Sequence, residues 1–396
     1  MKEGWQVKRL GDVCEIVNGG TPKTGIEEYW GGQRQWITPA EMGKRSTPYV
    51  SNTERTLTDL GLQSCSARPL PPYSVILSSR APIGHLVINV VPMATNQGCK
   101  GLVPSKSLDH KFLFYFLGKS VELLNDLGTG ATFKELSGGK IKEVTIPLPP
   151  LPEQQRIVAL LDEAFDGIAT AKANAEQNLK NARELFESHL QAVFTQRGEG
   201  WVEISLQDIC VKITDGEHLR PKVTLEGVPF LSAKDVLDNG VCFNSTLFVS
   251  NEDAIKFRKR CNPERDDILI VSRGATVGRT CIVDVDTIFC LLGSVILLKI
   301  KSGLSPKFIA YALKAPVVRK QLSTVSEATA QQAIYLRDIK PLKFGYPPLA
   351  EQQLVVSQLD DITSEVQRLE ALYQQKLAAL DELKKSLLHK AFNGEL

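Results

Sequence analysis

The sequence predicts an α+β protein. Two globular mixed α/β segments are separated by two long helices that form an antiparallel coiled coil, with an internal pseudo-two-fold repeat. Three observations support this prediction: a phrase that recurs at half the chain length, a long helical pattern after each copy, and mixed strand and helix signals in the segments between. A chain of 396 residues is long enough for two or three domains.

The recurring phrase sets the period of the repeat. Pro149-Pro150-Leu151-Pro152-Glu153-Gln154-Gln155 returns as Pro347-Pro348-Leu349-Ala350-Glu351-Gln352-Gln353, a shift of 198 residues in a chain of 396. The shift is constant in the helical segments and drifts in the globular ones, which indicates divergent domains on spacers of fixed length. We therefore expect globular domains at 1–148 and 199–346, and spacer helices at 149–198 and 347–396.

Each spacer carries apolar or small residues at alternating steps of four and three, a heptad pattern typical of coiled-coil packing. The first seam is rich in alanine and the second in larger side chains, so the two helices are expected to pair with each other; a homodimer built on them is the alternative. The first seam contains Ile157, Leu161, Ala164, Ile168, Ala171, Ala175, Asn178, Ala182 and Leu185. The second contains Val355, Leu359, Ile362, Val366, Leu369, Tyr373, Lys376, Leu380, Leu383 and Leu387.

The globular segments mix short β-branched runs with glycine and proline turns. Residues 75–77, 86–88, 268–271 and 295–298 are predicted strands, because they are short apolar runs. The aromatic-rich runs Phe112–Leu117 and Phe308–Leu313 are predicted to be buried helix segments. These signals predict an α+β domain in each half.

Composition excludes several classes of protein. No run of 18 apolar residues occurs, and the first residues lack the apolar stretch of a signal peptide, so a cytoplasmic protein is expected. The eight cysteines form no C-x-x-C pair and have no zinc-site spacing, which favours reduced thiols. The histidines are scattered and no P-loop is present. Leu70-Pro71-Pro72-Tyr73 lacks the amide or carboxylate of the amino-methyltransferase loop that it resembles, so no catalytic or metal site is predicted.

The distribution of charge is more informative than its sum. The chain has a net charge of only +2, yet both spacer segments are net acidic, so the excess positive charge lies in the globular segments. A local concentration occurs at Lys256, Arg258, Lys259, Arg260 and Arg265. A solvated face would explain any one such run, but the segregation favours a polyanionic partner for the globular segments.

Side chains suited to DNA contacts occur at loop-like positions in both halves. Arginine and lysine pair with guanine, asparagine and glutamine with adenine, and hydroxyl groups with phosphates. Arg80 and Arg273 stand out because the repeat places an arginine in an equivalent turn twice. The candidates in the first half are Thr21, Lys23, Gln33, Arg34, Lys44, Arg45, Arg80, Asn96, Gln97, Lys100, Thr132 and Lys134. Those in the second half are Lys212, His218, Arg220, Lys222, Lys234, Arg258, Lys259, Arg260, Arg273, Arg279, Gln331 and Gln332.

Three of these motifs together resemble the specificity subunit of type I restriction-modification systems. They are Ser78–Gly84, Thr95–Gly101 and the Pro-Pro-Leu-x-Glu-Gln-Gln phrase before each helix, and the resemblance covers the whole chain. One departure is Lys343-Phe344-Gly345-Tyr346 at the second junction, where the first has Thr145-Ile146-Pro147-Leu148. That difference leaves the strand path there open.

The resemblance implies two target-recognition domains that each recognise half of a split DNA sequence, and spacer helices that bind two methyltransferase subunits. Motor-nuclease subunits can join that complex. S-adenosylmethionine, ATP and Mg are expected on the partners, and no cofactor on this chain, which would be non-catalytic alone. The family does not fix which residues contact bases. Two alternatives are a stand-alone DNA-binding regulator and a coiled-coil adaptor without DNA function.

Overall fold

A computed structural model describes residues 3–130, 134–196, 198–219, 221–326 and 333–396, with the backbone alone for 323–326. The chain forms two compact units. Unit 1 comprises Met1–Ala175 and Gln375–Leu396, and unit 2 comprises Glu176–Gln374. Both long helices therefore contribute one part to each unit. The predicted domain boundaries, which separate domains from spacers, stay a prediction.

All ten described strands of unit 1 precede the first long helix. In chain order the elements are β1 (Gln6–Arg9), α1 (Leu10–Val13), β2 (Cys14–Asn18), β3 (Trp30–Ile37), α2 (Pro39–Met42), β4 (Tyr49–Val50), β5 (Arg55–Leu57), α3 (Asp59–Gln63), β6 (Val75–Ser79), β7 (Ile83–Asn89), β8 (Met93–Thr95), β9 (Cys99–Pro104), α4 (His110–Lys119), α5 (Val121–Leu127), α6 (Gly138–Glu143), β10 (Thr145–Leu148) and α7 (Leu151–Thr195).

Unit 2 repeats this order with modifications. Its elements are β11 (Val202–Ser205), α8 (Leu206–Ile209), β12 (Cys210–Asp215), β13 (Val228–Leu231), β14 (Val236–Leu237), β15 (Gly240–Val241), β16 (Leu247–Val249), α9 (Asn251–Arg260), β17 (Ile268–Val271), β18 (Thr280–Ile282), β19 (Cys290–Leu291), β20 (Val295–Ile300), α10 (Pro306–Lys314), α11 (Pro316–Ser326), α12 (Leu336–Ile339), β21 (Lys343–Tyr346) and α13 (Leu349–Asn393).

The sheets of the two units have matching topology. The main sheet has the order β2-β9-β6-β7-β4 in unit 1 and β12-β20-β17-β18 in unit 2. A three-stranded sheet follows the order β5-β3-β8 in unit 1 and β16-β13-β19 in unit 2, each with one antiparallel and one parallel pairing. The predicted strands are confirmed as β6, β7, β17 and β20, and the two predicted buried helices as α4 and α10.

The junction before each long helix is a two-stranded antiparallel ribbon. β1 pairs with β10 in unit 1, and β11 pairs with β21 in unit 2 over four residues each. The unusual sequence of β21 therefore follows the same strand path as β10. After each ribbon a proline carbonyl, of Pro150 or Pro348, accepts the first backbone hydrogen bonds of the helix.

One half-buried aspartate joins the globular part of each unit to its long helix. In unit 1 Asp162 on α7 accepts hydrogen bonds from Tyr115 (2.5 Å) and Lys111 of α4. In unit 2 Asp360 on α13 accepts them from Tyr311 (2.7 Å) and Lys307 of α10. Burial, followed by the hydrogen bond to Asp162, raises the pKa of Tyr115 above its ordinary range, so the hydroxyl remains a donor.

Within each unit the two long helices run antiparallel, as predicted. In unit 1 Lys384 lies over the Phe165 ring, and further along α7 Lys172 pairs with Asp381, earlier in α13. In unit 2 Arg183 pairs with Glu370, while Phe194, later in α7, shares a core with Val355, earlier in α13. The helices of one chain therefore pair with each other in both units.

The predicted seam is correct for most positions and wrong at four. Asn178, Leu185, Lys376 and Leu383 are exposed, and the two leucines retain 64% and 46% of their accessible surface. The contacts move by one position, to half-buried Leu179 and Phe186 on α7 and half-buried Leu377 on α13. A heptad repeat has 3.5 residues per turn, whereas a straight α-helix has 3.6. Each heptad position is therefore rotated by about 20° around the helix axis relative to the position seven residues earlier. Over such long helices this drift rotates the strict heptad positions out of the contact.

Candidate nucleic-acid interface

Polar loops meet at one edge of the main sheet in unit 1. The carboxyl ends of β2 and β6 and the amino end of β9 meet there, because Asn18 pairs with Lys100 and Ser78 with Cys99 in antiparallel register. We call residues 18–21, 80 and 95–98 the loop edge of unit 1. A Cβ on Gly19 would lie 1.9 Å from the Asn96 carbonyl oxygen, so only glycine allows these loops to approach so closely.

The loop edge of unit 1 brings together four of the sequence-predicted candidates, and a fifth, Lys100, lies beside it in β9. Thr21 donates a hydrogen bond from its hydroxyl to the Gln97 side chain, and the Asn96 side chain accepts one from the Gly98 N–H at 2.8 Å. Arg80 is half-buried at the end of β6, and Lys100 is buried at the start of β9. The sequence predicted these residues separately, and the strand register places them on one edge.

Unit 2 builds its loop edge from the corresponding strand ends. Asp215 pairs with Ile296 and Val271 with Val295, so the ends of β12 and β17 meet the start of β20. We call residues 215–218, 272–273 and 292–294 the loop edge of unit 2. A Cβ on Gly216 would lie 2.1 Å from the Leu291 carbonyl oxygen, which repeats the close approach seen in unit 1.

Three candidates lie at or beside the loop edge of unit 2. His218 and Arg273 are exposed on it. Arg260 reaches it from α9, where its guanidinium pairs with Asp215 and lies 3.3 Å from His218 Nε2. A pocket of about 470 Å³ lies at this edge, lined in part by Glu217, His218, Arg273, Phe230 and Leu247. Unit 2 therefore presents a guanidinium, an imidazole and a carboxylate around a concave, partly apolar surface.

Several candidates away from the loop edges are held by acidic or backbone groups. Arg34 pairs with Asp59, Lys44 with Glu54 and Arg279 with Asp238, and Arg45 holds buried Glu41 and the Asn52 carbonyl. Lys134, Lys234 and Arg258 donate to backbone carbonyls. Lys212 is half-buried within β12, and the exposed remainder comprises Lys23, Gln33, Lys222 and Lys259. Thr132, Arg220, Gln331 and Gln332 lie outside the described residues. All these contact roles stay predictions.

Two aromatic–arginine clusters were not predicted from the sequence. Arg55 lies 3.6 Å above the Trp30 ring in unit 1, and Arg273 and Arg337 both lie near the Tyr335 ring in unit 2. Such stacking holds a guanidinium plane in one orientation. No local pattern in the sequence marks these clusters. The aromatic ring and the arginine come together only where strands pair or where the chain returns to the sheet.

Six of the eight thiols are buried. Burial raises the pKa of Cys14, Cys99, Cys210, Cys261 and Cys281 to about 12, so these groups stay protonated and unreactive near neutral pH. Among the described residues no cluster of histidine, cysteine, aspartate or glutamate could hold a metal ion. Within the same residues, no helix combines the length and the apolar character needed to cross a membrane.

Known proteins resemble large parts of this chain. The specificity subunit of the type I restriction enzyme MjaIX from Methanocaldococcus jannaschii is 36% identical over 271 residues, which cover 64% of this chain and 62% of that protein. The chain thus spans less than two thirds of that relative. The EcoBI specificity subunit from Escherichia coli is 25% identical over 337 residues, covering 77% of this chain and 70% of the relative.

Solved structures show the same fold. A chain from a study of complex assembly and conformational transition of the type I R-M system superposes with a TM-score of 0.82 at 22% identity, covering 100% of this chain and 99% of that one. The HsdS subunit from Thermoanaerobacter tengcongensis gives 0.60 at 21% identity, covering 100% and 98%.

The sequence model described as the type I restriction modification DNA specificity domain matches residues 2–181 and again residues 198–378. These matches account for most of the chain and follow its internal repeat. The chain belongs to the type I restriction-modification DNA specificity domain family.

Proposed function

We propose that this chain is the sequence-specific DNA-recognition subunit of a type I restriction-modification complex. Each unit would recognise one half of a split DNA target through its loop edge. The observation that carries the proposal is the duplication of that edge, since the same three strand ends meet twice and present different polar side chains each time. Two different surfaces on equivalent frames suit two different half-sites.

The pattern of sequence divergence supports this proposal. The contacts of Asp162 and Asp360 with α4 and α10 use the same residue types in both units. The loop edges, in contrast, share little beyond Arg80 and Arg273 and the close-approach glycines. Attachment to the helix is thus constant while the surface offered to DNA varies, as selection for two separate sequences requires.

Catalysis would belong to partner subunits. Two methyltransferase subunits would bind the long helices, and motor-nuclease subunits would join through them. S-adenosylmethionine, ATP and Mg would be held by those partners and not by this chain. Exposed leucines support binding of two copies of one partner, because each unit displays the same two: Leu151 and Leu383 in unit 1, and Leu349 and Leu185 in unit 2.

Methylation mapping tests the function directly. The purified full chain alone should methylate no DNA, whereas addition of its methyltransferase partner should transfer methyl groups to adenines within one bipartite sequence. Genomic DNA from a strain lacking the chain should lose methylation at that sequence only. Methylation by the lone chain would contradict the proposal. Tight binding to one genomic site with no effect on methylation would favour a stand-alone regulator. An adaptor without DNA function would show no salt-dependent binding to DNA.

The stoichiometry of the complex tests the partner proposal. Leu185→Asp should remove one methyltransferase subunit, Leu383→Asp the other, and the double variant both, as measured by native mass spectrometry. Each leucine is exposed at 64% or 46%, so the substitutions should leave the fold intact. Leu354→Asp, which replaces an exposed leucine that lacks a leucine at its repeat-equivalent position, is the matched control. Full occupancy in the double variant would place the contact elsewhere.

A further inference from the structure

The two equivalent arginines of the loop edges differ in their neighbours. In unit 1 Arg80 forms a β-bridge with Glu135, and its Nη1 lies 3.5 Å from the Glu135 carboxylate. The next residue, Leu136, donates its N–H to the Ser79 carbonyl at 2.9 Å. The returning chain therefore carries a carboxylate to the side of Arg80 and offsets its charge.

Unit 2 has the same backbone arrangement without the carboxylate. Arg273 forms the equivalent bridge with Ala333, and Ile334 donates its N–H to the Ser272 carbonyl, also at 2.9 Å. A methyl group thus occupies the position of the Glu135 side chain. Arg273 is exposed, and no ion pair to it exists among the side chains that the structure describes.

An aromatic ring and a second cation take the place of that ion pair. The Arg273 guanidinium carbon lies 5.8 Å from the centre of the Tyr335 ring, and that of Arg337 lies 5.2 Å from the same centre. Two guanidinium groups at one ring raise the local positive potential, and the ring restricts their orientation at little cost in desolvation.

The nearby carboxylates are engaged by other groups. Asp215 pairs with Arg260 and His218, and Glu217 accepts the Leu219 N–H at 3.0 Å. Asp338 accepts the Tyr335 N–H at 3.0 Å and lies 3.6 Å from Arg337. Arg273 is therefore the cation of this group that is available to an external anion.

We infer that Arg273, with Tyr335 and Arg337 beside it, is a phosphate clamp through which unit 2 holds the DNA backbone, while Glu135 keeps the equivalent Arg80 of unit 1 from that role. The inference rests on the proposed DNA-recognition function and assigns unequal electrostatic roles to the two units. An arginine that binds a phosphate strengthens binding to every sequence, because the backbone is the same throughout.

The salt dependence of DNA binding tests this assignment. The probe is a fluorescent 30-base-pair duplex of mixed sequence, bound to the full chain and followed by anisotropy over a range of NaCl concentrations. One phosphate contact contributes about 0.9 to the slope of log K against log salt, which corresponds to roughly eightfold in affinity at about 0.1 M salt. Arg273→Ala should reduce the magnitude of the slope by about 0.9 and the affinity roughly eightfold. Arg273→Lys should retain most of the slope because the charge remains.

The equivalent position in unit 1 is the matched control. Arg80→Ala should change the affinity by less than about twofold, whereas Glu135→Gln should free Arg80 and increase the slope by about one contact. An unchanged slope for Arg273→Ala, or an equal loss for Arg80→Ala, would overturn the clamp while leaving DNA recognition intact. A loss confined to one sequence would overturn it too, since it would identify a base contact. Absence of salt-dependent binding by the unsubstituted chain would instead refute the proposed function itself.

Discussion

Each unit has two kinds of contact with the long helices. One kind keeps its residue types between units 1 and 2, and the other exchanges them. The contact between globular part and helix keeps its residue types, with Asp162 in unit 1 and Asp360 in unit 2. The ion pair between the two long helices is inverted under the same repeat. Lys172 pairs with Asp381 in unit 1, yet a shift of 198 converts Lys172 to Glu370 and Asp381 to Arg183, which pair in unit 2.

This inversion places the cation on α7 and the acid on α13 in both units. An antiparallel pair of two α7 helices would instead bring Lys172 against an arginine, and a pair of two α13 helices would bring two acids together. Like charges in contact disfavour such self-pairing. The duplicated halves therefore retained the contacts that attach each domain and diverged where the helices select their partner.

A second exchange between the units follows the same rule. Unit 1 has Phe165 on α7, which packs against Tyr115 and lies under Lys384 of α13. In unit 2 the repeat gives Thr363 in place of Phe165 and Phe186 in place of Lys384, so the aromatic ring has moved to the other helix. Phe186 packs on Tyr311 at 6.5 Å and lines a cavity of about 830 Å³. The helix pair is thus asymmetric in packing as well as in charge.

The largest difference in stability cost between equivalent substitutions in the two units is expected at the glutamines of the repeated phrase. Buried Gln154 accepts from Asp109 N–H and donates to the carbonyls of Ser107 and Pro149, all within 2.9 Å. Among the described residues, Gln352 donates to the Pro347 carbonyl, and its buried Oε1 accepts no hydrogen bond. Gln154→Leu should therefore cost about 3 kcal/mol of local stability and Gln352→Leu about 1 kcal/mol.

Hydrogen exchange of backbone amides measures these two costs. The amides of β10 and the first turns of α7 are compared with those of β21 and the first turns of α13. Each variant is the control for the other, because the substitution is the same and only the number of lost partners differs. Equal losses would show that the phrase does not fix unit 1 more firmly than unit 2.

A smaller difference is expected at the carboxylates that attach the domains. Asp162→Ala removes the partners of Tyr115 and Lys111 and should cost about 2 kcal/mol. Asp360→Ala should cost slightly less, because the Tyr311 hydroxyl keeps Thr363 Oγ1 at 3.2 Å. Protection of α4 and α10 in hydrogen exchange provides the measurement. Glu163→Ala and Asp361→Ala, exposed neighbours related by the repeat, are the controls and should have no effect.

The smallest effect should come from the inverted ion pairs, which are partly exposed. Lys172→Glu or Asp381→Lys alone should raise local opening of the helix pair roughly twofold to fivefold, and the double variant should restore it. Lys172 holds the pKa of Asp381 below its ordinary value, so this contribution is present at neutral pH and disappears as the pH falls through that lowered pKa. A double variant no better than the singles would rule out a direct pairing.

Local signals in the sequence were sufficient for most of the elements. The apolar runs that form β6, β7, β17 and β20 are short and bounded by turn residues, and the aromatic runs of α4 and α10 exceed strand length. The predicted seam is wrong at Leu185 and Leu383 because strict heptad positions rotate around a straight helix by a small angle in each heptad. The rotation becomes large only over several heptads, so a short stretch of sequence does not show it. The aromatic clusters at Trp30 and Tyr335 were missed because their arginines are distant in the chain or follow a turn.

The duplication, the two long helices and the resemblance to the family could be read from the sequence. These properties follow from periodicity and from short motifs, which survive divergence because they depend on neighbouring residues. The sequence favoured pairing of the helices within one chain over a homodimer, and the contacts between α7 and α13 confirmed that pairing. The set of polar side chains that share a loop edge depends on the fold, since strand register brings together residues as distant as Asn18 and Lys100. The tertiary structure alone also showed that Glu135 faces Arg80 while Ala333 leaves Arg273 open, because that difference depends on where the chain returns to the sheet.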